Sequence, residues 1–218
     1  MINIGKNLKI NEIFFSIQGE TRFAGYPCVF VRTAGCNLEC NWCDTEYAKE
    51  PGKAIEIKEI MQVISVYPVK LVMITGGEPL CQKETPFLLD SLIEKGYNVI
   101  LETNGSFSLM DIPNEVYKAV DVKCPGSGEE RSFLKENLNY IRENDELNFV
   151  LLNRQDYDWA CSFIKDNNIK KYISISFTPA YNILKPPQLA EWLLEDGLSD
   201  IRLSLQLHKI IWGNKRGV

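Results

Sequence analysis

Apolar positions along this chain switch between two periods. Cys28–Arg32 (CVFVR) is a short apolar run that predicts a strand. Glu56–Val66 carries Ile57, Ile60, Met61 and Ile64 at the i, i+3, i+4, i+7 spacing of one helical face. Leu71–Thr75 (LVMIT) is a continuous apolar run, typical of a strand covered on both faces. Thr85 and Pro86 read as an N-cap and first turn, and Phe87–Lys95 as the helix they start, closed by Gly96. Asn98–Glu102 and Ala119–Lys123 read as strands. Ser132–Glu143, with Phe133, Leu134, Leu138 and Ile141 on one face, reads as a helix. The alternation continues with a strand at Leu147–Leu152, a helix at Arg154–Asp166 and a strand at Tyr172–Phe177. A helix at Pro187–Glu195 and a strand at Ile201–Leu205 complete it.

Strands alternating with helices imply a parallel sheet with right-handed crossovers. A closed eight-fold barrel usually needs about 250 residues, and this chain has 218. The expected fold is therefore α/β, a partial, open parallel β/α barrel with about six core strands. Residues 1–218 are expected to form a single domain, since no repeat, low-complexity tract or linker divides them. Chemistry in parallel barrels sits at the C-terminal strand ends. Four polar segments follow strands there: the cysteine loop (33–46), Gly76-Gly77-Glu78-Pro79, Thr103-Asn104-Gly105 and Lys123-Cys124-Pro125.

Composition narrows the function. Apolar residues make up 45% and charged residues 24%, the balance of a globular protein, with a net charge of −5. A nucleic-acid binder carries a basic face; here only Lys209, Lys215 and Arg216 gather at the C-terminus, so a small molecule is the expected partner. No stretch approaches the roughly 20 apolar residues of a membrane span. The first residues show no export signal, and the expected location is cytoplasmic. Seven cysteines in a reducing compartment do not suggest disulfides.

Three of those cysteines cluster. Gly35-Cys36-Asn37-Leu38-Glu39-Cys40-Asn41-Trp42-Cys43-Asp44-Thr45 has the spacing CxxxCxxC. Thiolates are the usual ligands of iron–sulfur clusters, and three within eight residues can wrap one face of a four-iron, four-sulfur cluster, leaving one iron open. The competing reading is zinc, which wants four protein ligands. The only histidine, His208, stands in no metal-pair spacing, and Cys28, Cys81, Cys124 and Cys161 are unpaired.

CxxxCxxC after a first strand resembles the signature of the radical S-adenosylmethionine superfamily, whose fold is such a partial barrel. The resemblance implies a cluster on Cys36, Cys40 and Cys43. Its open iron would chelate the methionine end of S-adenosylmethionine, and one electron would then release a 5′-deoxyadenosyl radical. Gly76-Gly77-Glu78-Pro79 resembles the superfamily's GGEP turn, which meets the cofactor's amino group. Cofactor contacts then carry over to Trp42, Cys43, Asp44, Gly77, Glu78, Glu102, Asn104, Asp121, Val122 and Lys123. Ordinary packing for Trp42, and a solvated strand end for the residues after 101, remain the alternatives.

The N-terminal third is more specific. Glu12-Ile13-Phe14-Phe15-Ser16-Ile17-Gln18-Gly19-Glu20, then Phe30-Val31-Arg32 and Gly35-Cys36-Asn37, resemble the 7-carboxy-7-deazaguanine synthases, as do Gln206-Leu207-His208-Lys209 and 212–217. Two departures stand out: Thr21 where that family has glycine, and Asp121-Val122-Lys123 where many members have Ser-Pro-Lys. The resemblance implies ring contraction of 6-carboxy-5,6,7,8-tetrahydropterin with loss of ammonia, in 7-deazapurine (queuosine precursor) biosynthesis. It implies that Ile17, Gln18 and Gly19 hold the pterin edge and that Arg32 pairs with the substrate carboxylate. Thr75 and Val218 would touch substrate, and Thr45 would ligate Mg2+ unless it only caps the loop. Glu20 and His208 are candidates for proton transfer. A homodimer and a flavodoxin or ferredoxin donor are the implied partners. The other readings are a glycyl-radical activase, or a non-catalytic iron–sulfur or zinc protein.

Overall fold

The computed structural model of the chain describes residues 5–169 and 171–218. Its strands and helices run Asn7–Ile17 (β1), Pro27–Thr33 (β2), Lys53–Glu56 (β3), Ile57–Ser65 (α1), Leu71–Gly76 (β4), Thr85–Glu94 (α2) and Asn98–Thr103 (β5). Tyr117–Asp121 (β6), Glu146–Leu151 (β7), Arg154–Asp166 (α3), Ser174–Pro179 (β8), Pro186–Glu195 (α4), Ile201–Leu203 (β9) and Leu207–Trp212 (α5) follow. One nine-stranded sheet has the order β3-β1-β2-β4-β5-β6-β7-β8-β9. From β2 to β9 every neighbouring pair is parallel, while β1 pairs antiparallel with β2 and β3. The two outer strands do not meet, so the barrel is open.

Side chains alternate across a strand, and that period separates two cores. Val29, Val31, Val72, Ile74, Val99, Leu101, Val120, Leu147 and Phe149 face the helices. Against them α1 buries Ile57, Ile60 and Ile64, and α2 buries Leu88, Leu89 and Leu92. Each such side chain contributes about 2 kcal/mol on full burial. The alternate residues Phe30, Met73, Ile100, Tyr117 and Ala119 fill the concave side. Continuing each inner row towards the C-terminal strand ends gives Arg32, Thr75, Glu102 and Asp121. The concave face thus turns from apolar to charged along the strands.

Local chemistry sets several boundaries. α3 starts where the Asn153 side chain accepts the Asp156 N–H (3.0 Å), and it spans the residues expected. α2 starts at Thr85, but that hydroxyl does not cap it; it donates to the Pro79 carbonyl (2.6 Å). The expected strands at Ala119–Lys123 and Tyr172–Phe177 are displaced by two residues to Tyr117–Asp121 and Ser174–Pro179, and the last strand stops at Leu203. β1, β3 and α5 were not foreseen.

The expected helix over Ser132–Glu143 is absent; only a 3-10 turn, Lys135–Asn139, forms there. The buried Asn137 explains this. Its Nδ2 donates to the carbonyls of Gly105 (2.9 Å) and Phe107 (2.8 Å), and its Oδ1 accepts from Leu109 (2.9 Å). A side chain that satisfies a neighbouring loop's backbone outcompetes a regular helix. Phe133 and Ile141 still enter the core, so the pattern located the buried face but not the backbone. Among the described residues no helix is long and apolar enough to cross a membrane.

Candidate active site

A cavity of about 460 Å³ opens at the C-terminal ends of the parallel strands. Arg32, Thr75, Glu102 and Asp121 contribute from the strand ends, the cysteine loop from one rim, and α5 with the following residues from the other. Of the expected site residues, only Glu78 and Val122 do not line it. Val122 lies in the helix-facing core.

Glu78 is fully buried behind the wall. Its Oε1 accepts from the Leu80 N–H (2.9 Å) and the Thr103 hydroxyl (2.8 Å), and its Oε2 from the Asn104 N–H (2.7 Å). Burial pushes this carboxyl up to about 6 against those three donors. Glu78 therefore ties the ends of β4 and β5 together rather than presenting itself to the cavity.

The cysteine loop is fastened at several points. The Gly35 N–H donates to Ala48 (2.7 Å), and the Gly35 carbonyl accepts from Glu78 (2.9 Å). Gly77 packs so closely that a Cβ there would stand 2.3 Å from the Gly35 oxygen and 2.7 Å from Cys36 Cβ. Asn41 donates to the Ser127 carbonyl (3.0 Å), and the Glu39 N–H to Glu129 Oε1 (2.7 Å). Asn37 Oδ1 accepts from Asn104 Nδ2 (3.1 Å). Cys36, Cys40 and Cys43 are free, half-buried thiols on the cavity wall. Burial pushes the Cys36 and Cys40 thiols up, and the Lys123 ammonium opposes this in both.

The donor set fits a cluster. Thiolates clasping one tetrahedral ion stand about 4 Å apart, and among the described residues no three His, Cys, Asp or Glu side chains gather closely enough to hold a single ion. A cluster takes its thiolates on different irons, and Cys36, Cys40 and Cys43 are free and share the cavity lining. Two buried polar atoms beside the loop, Trp42 Nε1 and Asp121 Oδ1, have no partner within the protein. Unmet polar groups next to a cavity mark a place for a ligand.

Charge on the walls is uneven. Burial pushes the Glu20 carboxyl upward, reinforced by Glu102, Asp44 and Asp121. Burial likewise raises Glu102, whose Oε2 accepts from the Thr75 hydroxyl. Burial pulls Lys123 down, but Asp121 at 2.6 Å overrides it and holds the ammonium above its usual range. Burial would raise Asp44, but Lys209 at 3.2 Å keeps it below the usual carboxylate range. Burial pushes His208 down to about 4, so the imidazole is neutral at pH 7. The Thr45 hydroxyl donates to Asp44 (2.9 Å), and both residues line the cavity.

Ile17, Gln18 and Gly19 line the cavity, but much of their backbone is occupied. The Gln18 N–H donates to Tyr26, the Gln18 carbonyl accepts from Gly25, and the Gly19 carbonyl accepts from Leu207, each at 2.8 Å. Glu12, Gln206 and Lys209 stand in the quoted motifs with no role assigned to them, and Tyr47 stands in none. Gln206 Nε2 donates to Glu20 (3.1 Å), bringing a segment far along the chain to the N-terminal motif. The sequence does carry a signal for α5: Leu207, Ile210 and Ile211 have the i, i+3, i+4 spacing of one helical face.

Comparison with known proteins agrees with this geometry. Residues 30–120 match the radical SAM superfamily. A protein of Koribacter versatilis named 7-carboxy-7-deazaguanine synthase is 43% identical, over 94% of this chain and 97% of its own length. One of the same name from Chlorobaculum tepidum is also 43% identical, over 97% of each chain. The crystal structure of QueE from Escherichia coli superposes with a TM-score of 0.76 over 93% of this chain and 95% of that one, at 24% identity, a likeness of fold.

Proposed function

The chain belongs to the 7-carboxy-7-deazaguanine synthase family of radical S-adenosylmethionine enzymes, and from that premise we propose how its residues divide the work. The enzyme is a ring-contracting lyase that converts 6-carboxy-5,6,7,8-tetrahydropterin to 7-carboxy-7-deazaguanine with loss of ammonia, in 7-deazapurine biosynthesis. Residues 1–218 act as one radical SAM domain, a reading supported by the single sheet that runs from β1 to β9. When bound, the four-iron, four-sulfur cluster and S-adenosylmethionine supply the radical that removes hydrogen from the substrate.

Cys36, Cys40 and Cys43 hold the cluster. Trp42, Asp44, Gly77, Asn104 and Lys123 border the cofactor. Trp42 Nε1 and Asp121 Oδ1, buried without partners, are donor and acceptor for it. Glu78 and Val122 act from behind the wall.

Substrate chemistry accounts for the remaining charges. A carboxytetrahydropterin carries one carboxylate and a ring edge rich in N–H donors. Arg32 meets the carboxylate in a charge-assisted pair. Glu20 and Glu102, acid groups whose carboxyls burial pushes upward, accept from the ring and can take up or return protons. Ile17, Gln18, Gly19, Thr75 and Val218 pack against the ring, and neutral His208 is available as a base. Thr45 with Asp44 offers the oxygen ligands Mg2+ prefers. An external one-electron reductant, a flavodoxin or ferredoxin, is required, and the assembly is a homodimer. An electron carrier has no use for this small-molecule cavity, and an activase, which also takes S-adenosylmethionine, has none for Arg32 together with Gln18, Gly19 and Glu20 on its lining.

One observation carries the reading: the three free thiols of the loop open onto the same cavity that Arg32, Glu20, Glu102 and Asp121 line. Anaerobic incubation of reconstituted, reduced protein with S-adenosylmethionine and 6-carboxytetrahydropterin tests it. A 7-deazapurine carboxylate should appear by mass spectrometry. Cluster-loaded protein that forms no such product refutes the assignment.

A further inference from the structure

β1 carries an irregularity that the reaction as described does not use. Its register with β2 advances from Ile10↔Thr33 to Glu12↔Arg32, two residues on one strand against one on the other. Such a bulge reverses the facing of everything after it. Leu8 and Ile10 lie in the helix-facing core before the bulge, and Ile13 packs on that side after it. Glu12 is thereby moved off the core face and set directly across from Arg32.

The Glu12 carboxylate then holds two guanidinium groups at once. Oε1 accepts from Arg32 Nε (2.8 Å) and from the Tyr47 hydroxyl (2.9 Å). Oε2 accepts from Arg216 Nε (3.2 Å). Arg216 also donates to Asn11 Oδ1 (2.7 Å) and lies 4.0 Å from the centre of the Tyr47 ring. The Tyr47 ring also faces Arg32, 5.7 Å away. Asn214 and Val218, on either side of Arg216, line the cavity. Only Nε of Arg32 is engaged; its two terminal amino groups make no hydrogen bond to a described residue, which leaves them for the cavity.

We propose that Glu12 is a latch joining the 213–218 segment to Arg32, so that docking of that segment through Arg216 sets the aim of the guanidinium that receives the substrate's carboxylate. Glu12 and Arg216 are positioning residues; neither lines the cavity. The coupling is geometric: Arg216 on Oε2 and against the Tyr47 ring fixes the orientation of the carboxylate whose Oε1 holds Arg32, and without it Glu12 and Tyr47 are free to turn. Release of the segment therefore loosens Arg32, and a carboxylate gripping Arg32 feeds back on the segment. The inference rests on the substrate reading above, because it takes the anion at Arg32 to be the pterin's carboxylate.

Two measurements on the full chain separate the latch from that reading. The first needs no ligand: the rate at which trypsin cuts after Lys215, followed by mass spectrometry in wild type, Glu12→Gln and Arg216→Met. Each variant should be cut at least about ten times faster, and the double variant no faster than the quicker single one. The second is the affinity of anaerobic, cofactor-loaded enzyme for the carboxylated pterin and for tetrahydropterin without the carboxylate. Arg216→Met should weaken the first about ten-fold and leave the second unchanged. Unchanged cleavage in Arg216→Met, which sits on the surface and should not compromise folding, overturns the latch. Equal weakening of both pterins overturns the coupling to Arg32. If wild type binds neither pterin, the substrate reading fails, and the cleavage rates still decide whether the latch exists.

Discussion

Replacing Gly77 with alanine measures how tightly the cysteine loop depends on the turn beneath it. The new methyl would stand 2.3 Å from the Gly35 carbonyl oxygen, 2.7 Å from Cys36 Cβ and 2.8 Å from the Gly35 carbonyl carbon. An unstrained carbon–oxygen contact is about 3.3 Å, so the loop must retreat by about 1 Å. Two of those atoms are backbone, and none is the end of a side chain that could swing aside. Retreat also breaks the 2.9 Å hydrogen bond from Glu78 N–H to Gly35. Overpacking costs about 1–3 kcal/mol and the hydrogen bond about 1 kcal/mol, giving about 2–4 kcal/mol. At this chain length each kcal/mol lowers Tm by roughly 2–4 °C, so apo protein should melt about 4–16 °C lower. Moving Cys36 should also reduce iron and sulfide retained after anaerobic reconstitution. Gly197→Ala is the comparator: φ there is +63° with no atom near the added carbon, so only backbone strain of about 1 kcal/mol applies. Gly77→Ala melting no lower than Gly197→Ala, with wild-type iron content, would refute the reasoning.

Other expectations follow from the same geometry. Glu78→Gln leaves one acceptor oxygen for three buried donors; it should destabilise the apo protein by about 3 kcal/mol, and urea unfolding showing a change under 1 kcal/mol contradicts the bridge between β4 and β5. His208 is the sole histidine, so its proton NMR titration is unambiguous, with a midpoint expected at about 4. Because the unfolded imidazole titrates near 6.5, the unfolded state binds more protons between those values. Stability should therefore rise with pH across that window by about 3 kcal/mol relative to His208→Gln, and a folded-state midpoint at or above 6.5 removes the effect. Thr21 has φ +60°, and its hydroxyl accepts the Phe23 N–H (3.2 Å). Thr21→Gly relieves about 1–2 kcal/mol of strain while losing a bond of about 1 kcal/mol and some chain entropy, so chemical denaturation should move by less than about 1 kcal/mol.

The sequence carried the parallel strands and the helices α1 to α4 because one face of each is apolar at the correct period. It also carried the cysteine loop, the GGEP turn and the residues along 17–20, whose chemistry is local. β1 was hidden because its bulge breaks the alternation at Asn11, and the residues it turns inward, Glu12 and Phe14, differ in polarity. The helix read into Ser132–Glu143 failed because periodicity does not report a buried amide such as Asn137 satisfying another loop. Glu78 matched its motif, yet its three backbone and hydroxyl partners come from residues 80, 103 and 104, a closure that only the paired strand ends reveal. The Glu12–Arg32–Arg216 contact joins residues about 200 positions apart and leaves no local signature.

Iron and sulfide content of anaerobically reconstituted protein, read together with the electron paramagnetic resonance spectrum of the reduced form with and without S-adenosylmethionine, tests the central claim most directly. The account predicts about four irons and four sulfides per chain and a spectrum that changes when the sulfonium compound occupies the open iron. A tightly held zinc ion in place of iron, or a cluster whose spectrum ignores S-adenosylmethionine, contradicts it.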